Sequence, residues 1–194
     1  MKTILATLTI LAALQGKPVD LVPLADVGKA EGEFGWRGPA KGVLMVKANT
    51  PVKETLVFNL EAIAEEYDLT ATIERLDKGT KSFHVGIITP GGTCSYEFDA
   101  FDATKCAVAM IDGQWGEMVD GPFFRKGKAR TVTLEVRKAG LTVKADGRRF
   151  WSGKIDWTKT TTAQGIKLPD KNHLFLSATG DSWKVSGFAL VPVK

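Results

Sequence analysis

The feature that most restricts the fold of this chain is a hydrophobic period of two, which recurs along nearly its whole length. YDLTATIE places Tyr67, Leu69, Ala71 and Ile73 on one face; SFHVGIIT groups Phe83, Val85 and Ile87; RTVTLEV aligns Val132, Leu134 and Val136. Alternation of this kind marks half-buried β-strands, because successive side chains of a strand point to opposite faces. LTVKADGRRFW is the sharpest local signal. Leu141, Val143 and Ala145 alternate into Asp146-Gly147, a pair suited to a two-residue hairpin turn in which both central residues need positive φ. Further strands are expected at GVLMVKA (42–48), TLVFNL (55–60), SYEFDAF (95–101), KCAVAMI (105–111), HLFLSAT (173–179) and SWKVSGFALVPV (182–193). Turn signals separate them, among them Thr89-Pro90-Gly91-Gly92 and Thr179-Gly180-Asp181. One helical turn is expected, at EAIAEE (61–66). About ten short strands at this spacing predict an all-β antiparallel sandwich or barrel.

The chain has 194 residues, of which 44% are hydrophobic and 25% charged, enough for one substantial core. Its opening, MKTILATLTILAALQGKPVD, has the layout of a secretory signal peptide: Lys2, an uncharged run from Thr3 to Leu14, then Gln15 and Gly16. The run falls short of the ~20 apolar residues of a spanning helix. The expected organisation is therefore a leader over 1–16 and a single domain over 17–194, placed outside the cytoplasm with no membrane insertion after processing. The formal charge of +4 falls to +3 once Lys2 is removed. KGTK, FRKGKAR and GRR are short and lie at turns, so solvated charge is the expected reading. With no basic stripe or recognisable module, nucleic acid is not an expected partner. Cys94 and Cys106 flank CSYEFDAFDATKC. In a simple hairpin they sit about five residues out of register, roughly 16 Å at 3.3 Å per residue, too far for a disulfide with a Cα separation of ~5–6 Å. Two free, buried thiols are expected.

From EEYDLTATIERLDKG through VGIITPGG, EFDAFDATKCAVAMIDG and DGPFFRKGKARTVTLEVRKAGLTVKADGRRFWSGKIDW to SWKVSGFALVPV, the chain resembles concanavalin A-like (LamG-like) jelly-roll domains. The likeness is to uncharacterised planctomycete-type versions and, more distantly, to 3-keto-disaccharide hydrolase domains. It implies two antiparallel sheets packed face to face, with a concave sheet of the kind that holds glycans.

EFDAFD resembles the E-x-D-x-x-E motif of laminarinase-type β-glucanases. Matched by position, Glu97 would be nucleophile, Asp99 helper and Asp102 general acid, and Asp102 departs from the longer Glu of the motif. Retaining chemistry needs two carboxyls ~5–5.5 Å apart, one of them kept protonated. Pleating puts Glu97 and Asp99 on one face and Asp102 on the other unless a bulge intervenes. The competing expectation is a non-catalytic module that binds a glycan or cell-envelope component through Trp115, Glu97, Asp99 and Asp112. Trp115 sits in the glycine-flanked loop DGQWGEMVDGP, where an indole offers a sugar platform. Trp151 and Trp183 are expected in the core; Trp36 and Trp157 are left undecided. His84 and His173 are too few for zinc. No cofactor is expected, although the resemblance leaves calcium open, with Asp112, Glu117 and Asp120 as the loop carboxylates to hold it. Two alternatives remain: a glycoside-active enzyme, glucanase-like or a keto-sugar hydrolase, and a structural subunit that self-associates through free edge strands.

Overall fold

The structure is a computed structural model describing residues 17–25, 27, 35–48, 53–58, 60, 63–169 and 173–193. The leader expected over 1–16 lies outside them.

Among the described residues fourteen strands form two antiparallel sheets. In chain order they are β1 (Val19–Asp20), β2 (Gly35–Ala40), β3 (Val43–Lys47), β4 (Lys53–Phe58), β5 (Tyr67–Arg75), β6 (Phe83–Thr89) and β7 (Gly92–Asp99). There follow β8 (Lys105–Val108), β9 (Val119–Asp120), β10 (Arg130–Arg137), β11 (Gly140–Ala145), β12 (Arg148–Lys154), β13 (Leu174–Thr179) and β14 (Ser182–Pro192). The larger sheet runs β12-β11-β10-β5-β14-β3-β2, with β1 added beside β14; the smaller runs β4-β13-β6-β7-β8-β9. This is the expected jelly-roll sandwich.

Local chemistry explains the registers. Asp146 and Gly147, at φ 50° and 78°, turn β11 into β12 with Ala145 opposite Arg148, as a two-residue hairpin requires. Pro90-Gly91 turns β6 into β7 with Thr89 opposite Gly92, and that register carries down to His84 opposite Glu97. The helical turn expected at 61–66 does not form over 63–66, and residues 61–62 lie outside the described set. The Glu66 carbonyl accepts the Val193 N–H at 2.9 Å, so the chain is already committed to the sheet one residue before β5. Strand β2, GWRGPA, gave no alternating signal; it is an edge strand, where proline and glycine are tolerated.

Between the sheets lies an aromatic core: Trp183, Tyr67, Tyr96, Phe58, Phe83 and Phe98 have essentially no exposed surface. Trp151 and Trp183 are in it as expected, and Trp36 and Trp157 join them. Polar side chains cross the core to fix one sheet on the other. The Tyr67 hydroxyl of β5 donates to the Ile88 carbonyl and accepts the Ile88 N–H of β6, both at 2.9 Å. Trp36 Nε1 of β2 donates to the Glu54 carbonyl of β4 at 2.9 Å. Buried groups satisfied in this way set alignment without an unpaired donor.

Cys94 and Cys106 are free and buried, and Tyr96 opposite Val108 puts Cys106 level with Phe98, as the hairpin geometry predicts. Burial pushes both thiols up to about 12. At pH 8 only about one thiol in ten thousand is then thiolate, the reactive form. Native protein is expected to leave Ellman's reagent uncoloured at pH 8 over an hour and to release two equivalents of thiol in denaturant. Rapid reaction of either thiol in the native state would contradict their burial.

Candidate functional site

The outward face of the six-stranded sheet carries a row of polar side chains. Thr55 on β4 stands opposite Ser177 on β13, Ser177 opposite His84 on β6, and His84 opposite Glu97 on β7. Thr55 Oγ1 and Ser177 Oγ lie 3.1 Å apart, His84 Nε2 is 3.3 Å from Ser82 Oγ, and His84 Nδ1 is 3.5 Å from Glu97 Oε2. The row exists because the strands alternate: Phe83, Val85, Tyr96, Phe98, Leu176 and Ala178 occupy the inward positions. This outward face is not open to solvent. His84, Ser95, Phe175 and Ser177 have no exposed surface and Glu97 is 6% exposed. The strand ends make up the rim of this sheet.

At that rim β7 leaves the sheet abruptly. Asp99 takes φ 57°, and Phe101, Asp102 and Ala103 follow at 50°, 55° and 63° within the four-residue turn Ala100–Ala103. Left-handed backbone costs ~1–2 kcal/mol per non-glycine residue, so surrounding contacts must hold it. The Thr104 N–H bonds the Ala100 carbonyl at 3.1 Å and Thr104 Oγ1 bonds the Phe101 carbonyl at 2.7 Å. Beneath the turn, the Asp99 carboxylate accepts the N–H groups of Phe123 at 2.5 Å and Phe124 at 3.0 Å, and Arg75 Nη2 at 3.0 Å.

One product of this turn is an exposed aromatic pair. Phe101 is 51% exposed and meets Trp115 edge to face, with ring centroids 5.2 Å apart. Trp115, half-buried, is positioned by its neighbour Gly116, whose N–H bonds the Val108 carbonyl of β8 at 3.1 Å. That places the 115–116 segment one strand beyond β8, about 10 Å from Glu97 at the usual strand spacing. Met118, 41% exposed, extends the same loop.

The three carboxylates of EFDAFD therefore occupy three environments, and the arrangement the alternative, glucanase-like reading requires is not assembled. Glu97 lies on the sheet face beside His84. Asp99 is fully buried, with its oxygens held by the backbone of Phe123 and Phe124 and by Arg75. Asp102 is in the exposed turn, where Lys81 Nζ bonds it at 2.6 Å. That ammonium holds the Asp102 carboxyl below the usual carboxylate range, the opposite of what a general acid requires. The irregularity at Ala100 and Phe101 carries Asp102 away from Glu97 and does not return it to the same face.

The loop acids are likewise apart. Asp112 pairs with Lys159 at 3.1 Å, Asp120 with Lys105 at 2.6 Å, and Glu117 accepts Trp151 Nε1 at 3.2 Å. Among the described residues no group of three or more His, Cys, Asp or Glu is placed to hold a metal ion. The calcium set Asp112, Glu117 and Asp120 is thus not assembled.

No family model matches the chain, and no curated protein matches it in sequence. Solved structures do. The fold is similar to the carbohydrate-binding module CBM66 from Bacillus subtilis, at 8% identity over 82% of this chain and 92% of the module, with a TM-score of 0.59. A native glycosidic hydrolase matches at 9% identity, 90% and 94% coverage and a TM-score of 0.56. Bacillus licheniformis β-glucanase matches at 9% identity, 88% and 91% coverage and a TM-score of 0.52. At such identities the likeness is one of fold: a concanavalin-like jelly roll.

Proposed function

We propose that this chain is a non-catalytic glycan-recognition module, exported and acting at the cell envelope, with its ligand at the rim of the six-stranded sheet. The observation that carries the reading is the Phe101–Trp115 pair. A strained left-handed turn, anchored by a buried carboxylate, holds an aromatic ring half in solvent against an indole. Strain of that kind concentrates at sites where geometry serves a ligand, and apolar sugar faces dock on such rings while hydroxyls find polar neighbours. Glu97, buried on the covered sheet face beside His84, is not part of this platform. Asp112, exposed in the same loop as Trp115, borders the platform. The jelly-roll likeness to a carbohydrate-binding module supports the choice of ligand class, and the planctomycete-type affinity belongs to the same proposal. A retaining glucanase acting through EFDAFD is not adopted, because its acid is an exposed aspartate paired with lysine.

A glycan-array screen tests this reading. The wild-type chain is expected to bind at least one glycan class, and Trp115→Ala and Phe101→Ala are each expected to weaken that binding about tenfold with unchanged urea unfolding midpoints. Neutral-glycan binding that survives both substitutions would move the site elsewhere, and silence across neutral glycans would overturn the proposal.

A further inference from the structure

Two basic segments that are separate in sequence do not remain separate in the fold. FRKGKAR runs through a tight turn, bridged between Arg125 and Lys128, into β10. GRR forms the start of β12 after the Asp146-Gly147 turn. The two meet: Arg130 Nε binds Asp146 Oδ2 at 3.0 Å, and the Thr131 N–H binds Asp146 Oδ1 at 2.9 Å. Between them is a cleft of about 400 Å³ lined by Arg130, Asp146, Arg148, Arg149 and Phe150, within the size range of small-ligand sites.

The polar groups of this cleft are unevenly matched. Asp146 is its one carboxylate, and both of its oxygens are already taken by Arg130 and the Thr131 backbone. Among the described residues Arg148 and Arg149 make no ion pair, and both are exposed. Arg125, Lys126 and Lys128, also exposed, lie on the turn beside the end of β5 and do not line the cleft. Arg130 is held rigidly. Its Nη1 donates to the Phe123 carbonyl at 3.0 Å and its guanidinium lies over the Phe123 ring at 4.3 Å. A fixed guanidinium loses little freedom when it binds an anion.

The register of β12 supplies the second observation. Val143 faces Trp151 while Lys144 faces Arg149, so Phe150 is the extra residue of a β-bulge. Bulges re-aim side chains and recur beside binding sites. Here the bulge turns Phe150 into the cleft, half exposed, backed edge to face by Phe123 at 4.8 Å. A flat apolar ring thus stands beside guanidinium groups lacking counter-charge.

We infer that this cleft is a second binding site, one that takes the carboxylate or sulfate of an acidic glycan, with Arg148 and Arg149 gripping the anion and Phe150 stacking on the sugar ring. The fork of a guanidinium matches both oxyanions, and an aromatic wall distinguishes a charged sugar from a free ion. A nucleic acid fits less well, since Arg130, Arg148 and Arg149 line one short cleft and not a stripe that follows a backbone. The choice of a glycan rests on the functional reading above, but the residues are different ones, so the two fail separately.

The test uses the full chain and measures binding to dextran sulfate, polygalacturonate and neutral dextran, for wild type, Arg148→Ala/Arg149→Ala, Phe150→Ala and Trp115→Ala. Acidic polymers are expected to bind, sulfate and carboxylate arms showing which oxyanion is preferred. The double arginine variant is expected to lose about tenfold or more in affinity and most of its salt dependence. Phe150→Ala is expected to weaken acidic glycans without altering retention of inorganic sulfate, and Trp115→Ala to leave acidic binding unchanged. An unchanged affinity in the double variant, or failure of wild type to bind either acidic polymer, would overturn the site. So would equal binding of duplex DNA or anionic phosphatidylserine vesicles with no loss in Phe150→Ala, which would reduce it to generic charge attraction. Neutral-glycan binding lost in Trp115→Ala, together with a wild type that binds neither acidic polymer, would leave the rim site standing and overturn this one. A matching urea midpoint for each variant certifies the fold.

Discussion

Arg75→Met is expected to lower the unfolding free energy by about 3–5 kcal/mol, the range seen when one partner of a buried ion pair is removed. Arg75 ends β5 in the larger sheet and is almost wholly buried, at 3% exposure. Its Nη2 bonds Asp99 at the end of β7 in the smaller sheet, and its Nε lies 3.4 Å from Asp181 in the turn between β13 and β14. It also donates to the carbonyls of Gly79 at 2.9 Å and Lys81 at 2.7 Å. Methionine fills much the same volume but leaves Asp99 without its cation in a site with no exposed surface. Adding Asp99→Asn is expected to recover part of the loss. The amide oxygen still accepts a backbone N–H from Phe123 or Phe124, while the stranded charge is gone. Urea unfolding of the two single variants and the pair forms a double-mutant cycle. A loss under 1 kcal/mol for Arg75→Met would show that the clasp between sheets lies elsewhere. Because Asp99 anchors the left-handed turn, the same substitution is also expected to free Phe101 and weaken glycan binding.

How far the sequence reveals these features depends on the range of the interaction involved. Period-two alternation and turn chemistry are local, so β5, β6, β10 and the β11–β12 hairpin were legible from their own residues. The pairing of His84 with Glu97 was legible too: Thr89-Pro90-Gly91-Gly92 fixes a two-residue turn, and counting back five on each side brings the two together. That His84 is isolated in sequence drew attention away from it. Asp102 was readable as a turn residue, but Asp99 was not readable as buried, because its burial depends on Arg75, 24 residues upstream, and on backbone N–H groups of Phe123 and Phe124. A polar residue in a strand reveals which face it takes; it does not reveal whether that face is covered. The basic cleft was least accessible of all. FRKGKAR and GRR each look like solvated turns, and only the pairing of β10 with β11 brings Arg130 beside Arg148 and Arg149. The helical turn expected at 61–66 does not form over 63–66 for the converse reason, since local propensity yielded to sheet bonding by Glu66.

Trp183→Ala is expected to cost about 3–5 kcal/mol, the range for truncating a buried large aromatic. Trp183 has no exposed surface and occupies the junction of the aromatic core, with centroids 5.0 Å from Phe83 and 5.3 Å from Phe124. The Arg75 guanidinium lies 4.6 Å from its ring centroid, so alanine removes both packing and the aromatic face on which a desolvated cation rests. Among the described residues its indole Nε1 makes no hydrogen bond, which separates shape from polarity: Trp183→Phe keeps an aromatic face, strands no partner and is expected to cost only about 1–2 kcal/mol. The effects of Trp183→Ala and Arg75→Met are expected to be less than additive, because each removes the contact the other relies on. Equal costs for alanine and phenylalanine in denaturant unfolding would mean that the indole nitrogen, and not the aromatic surface, is what the core requires at this position. Strict additivity with Arg75→Met would mean that the stacked cation contributes nothing through the ring.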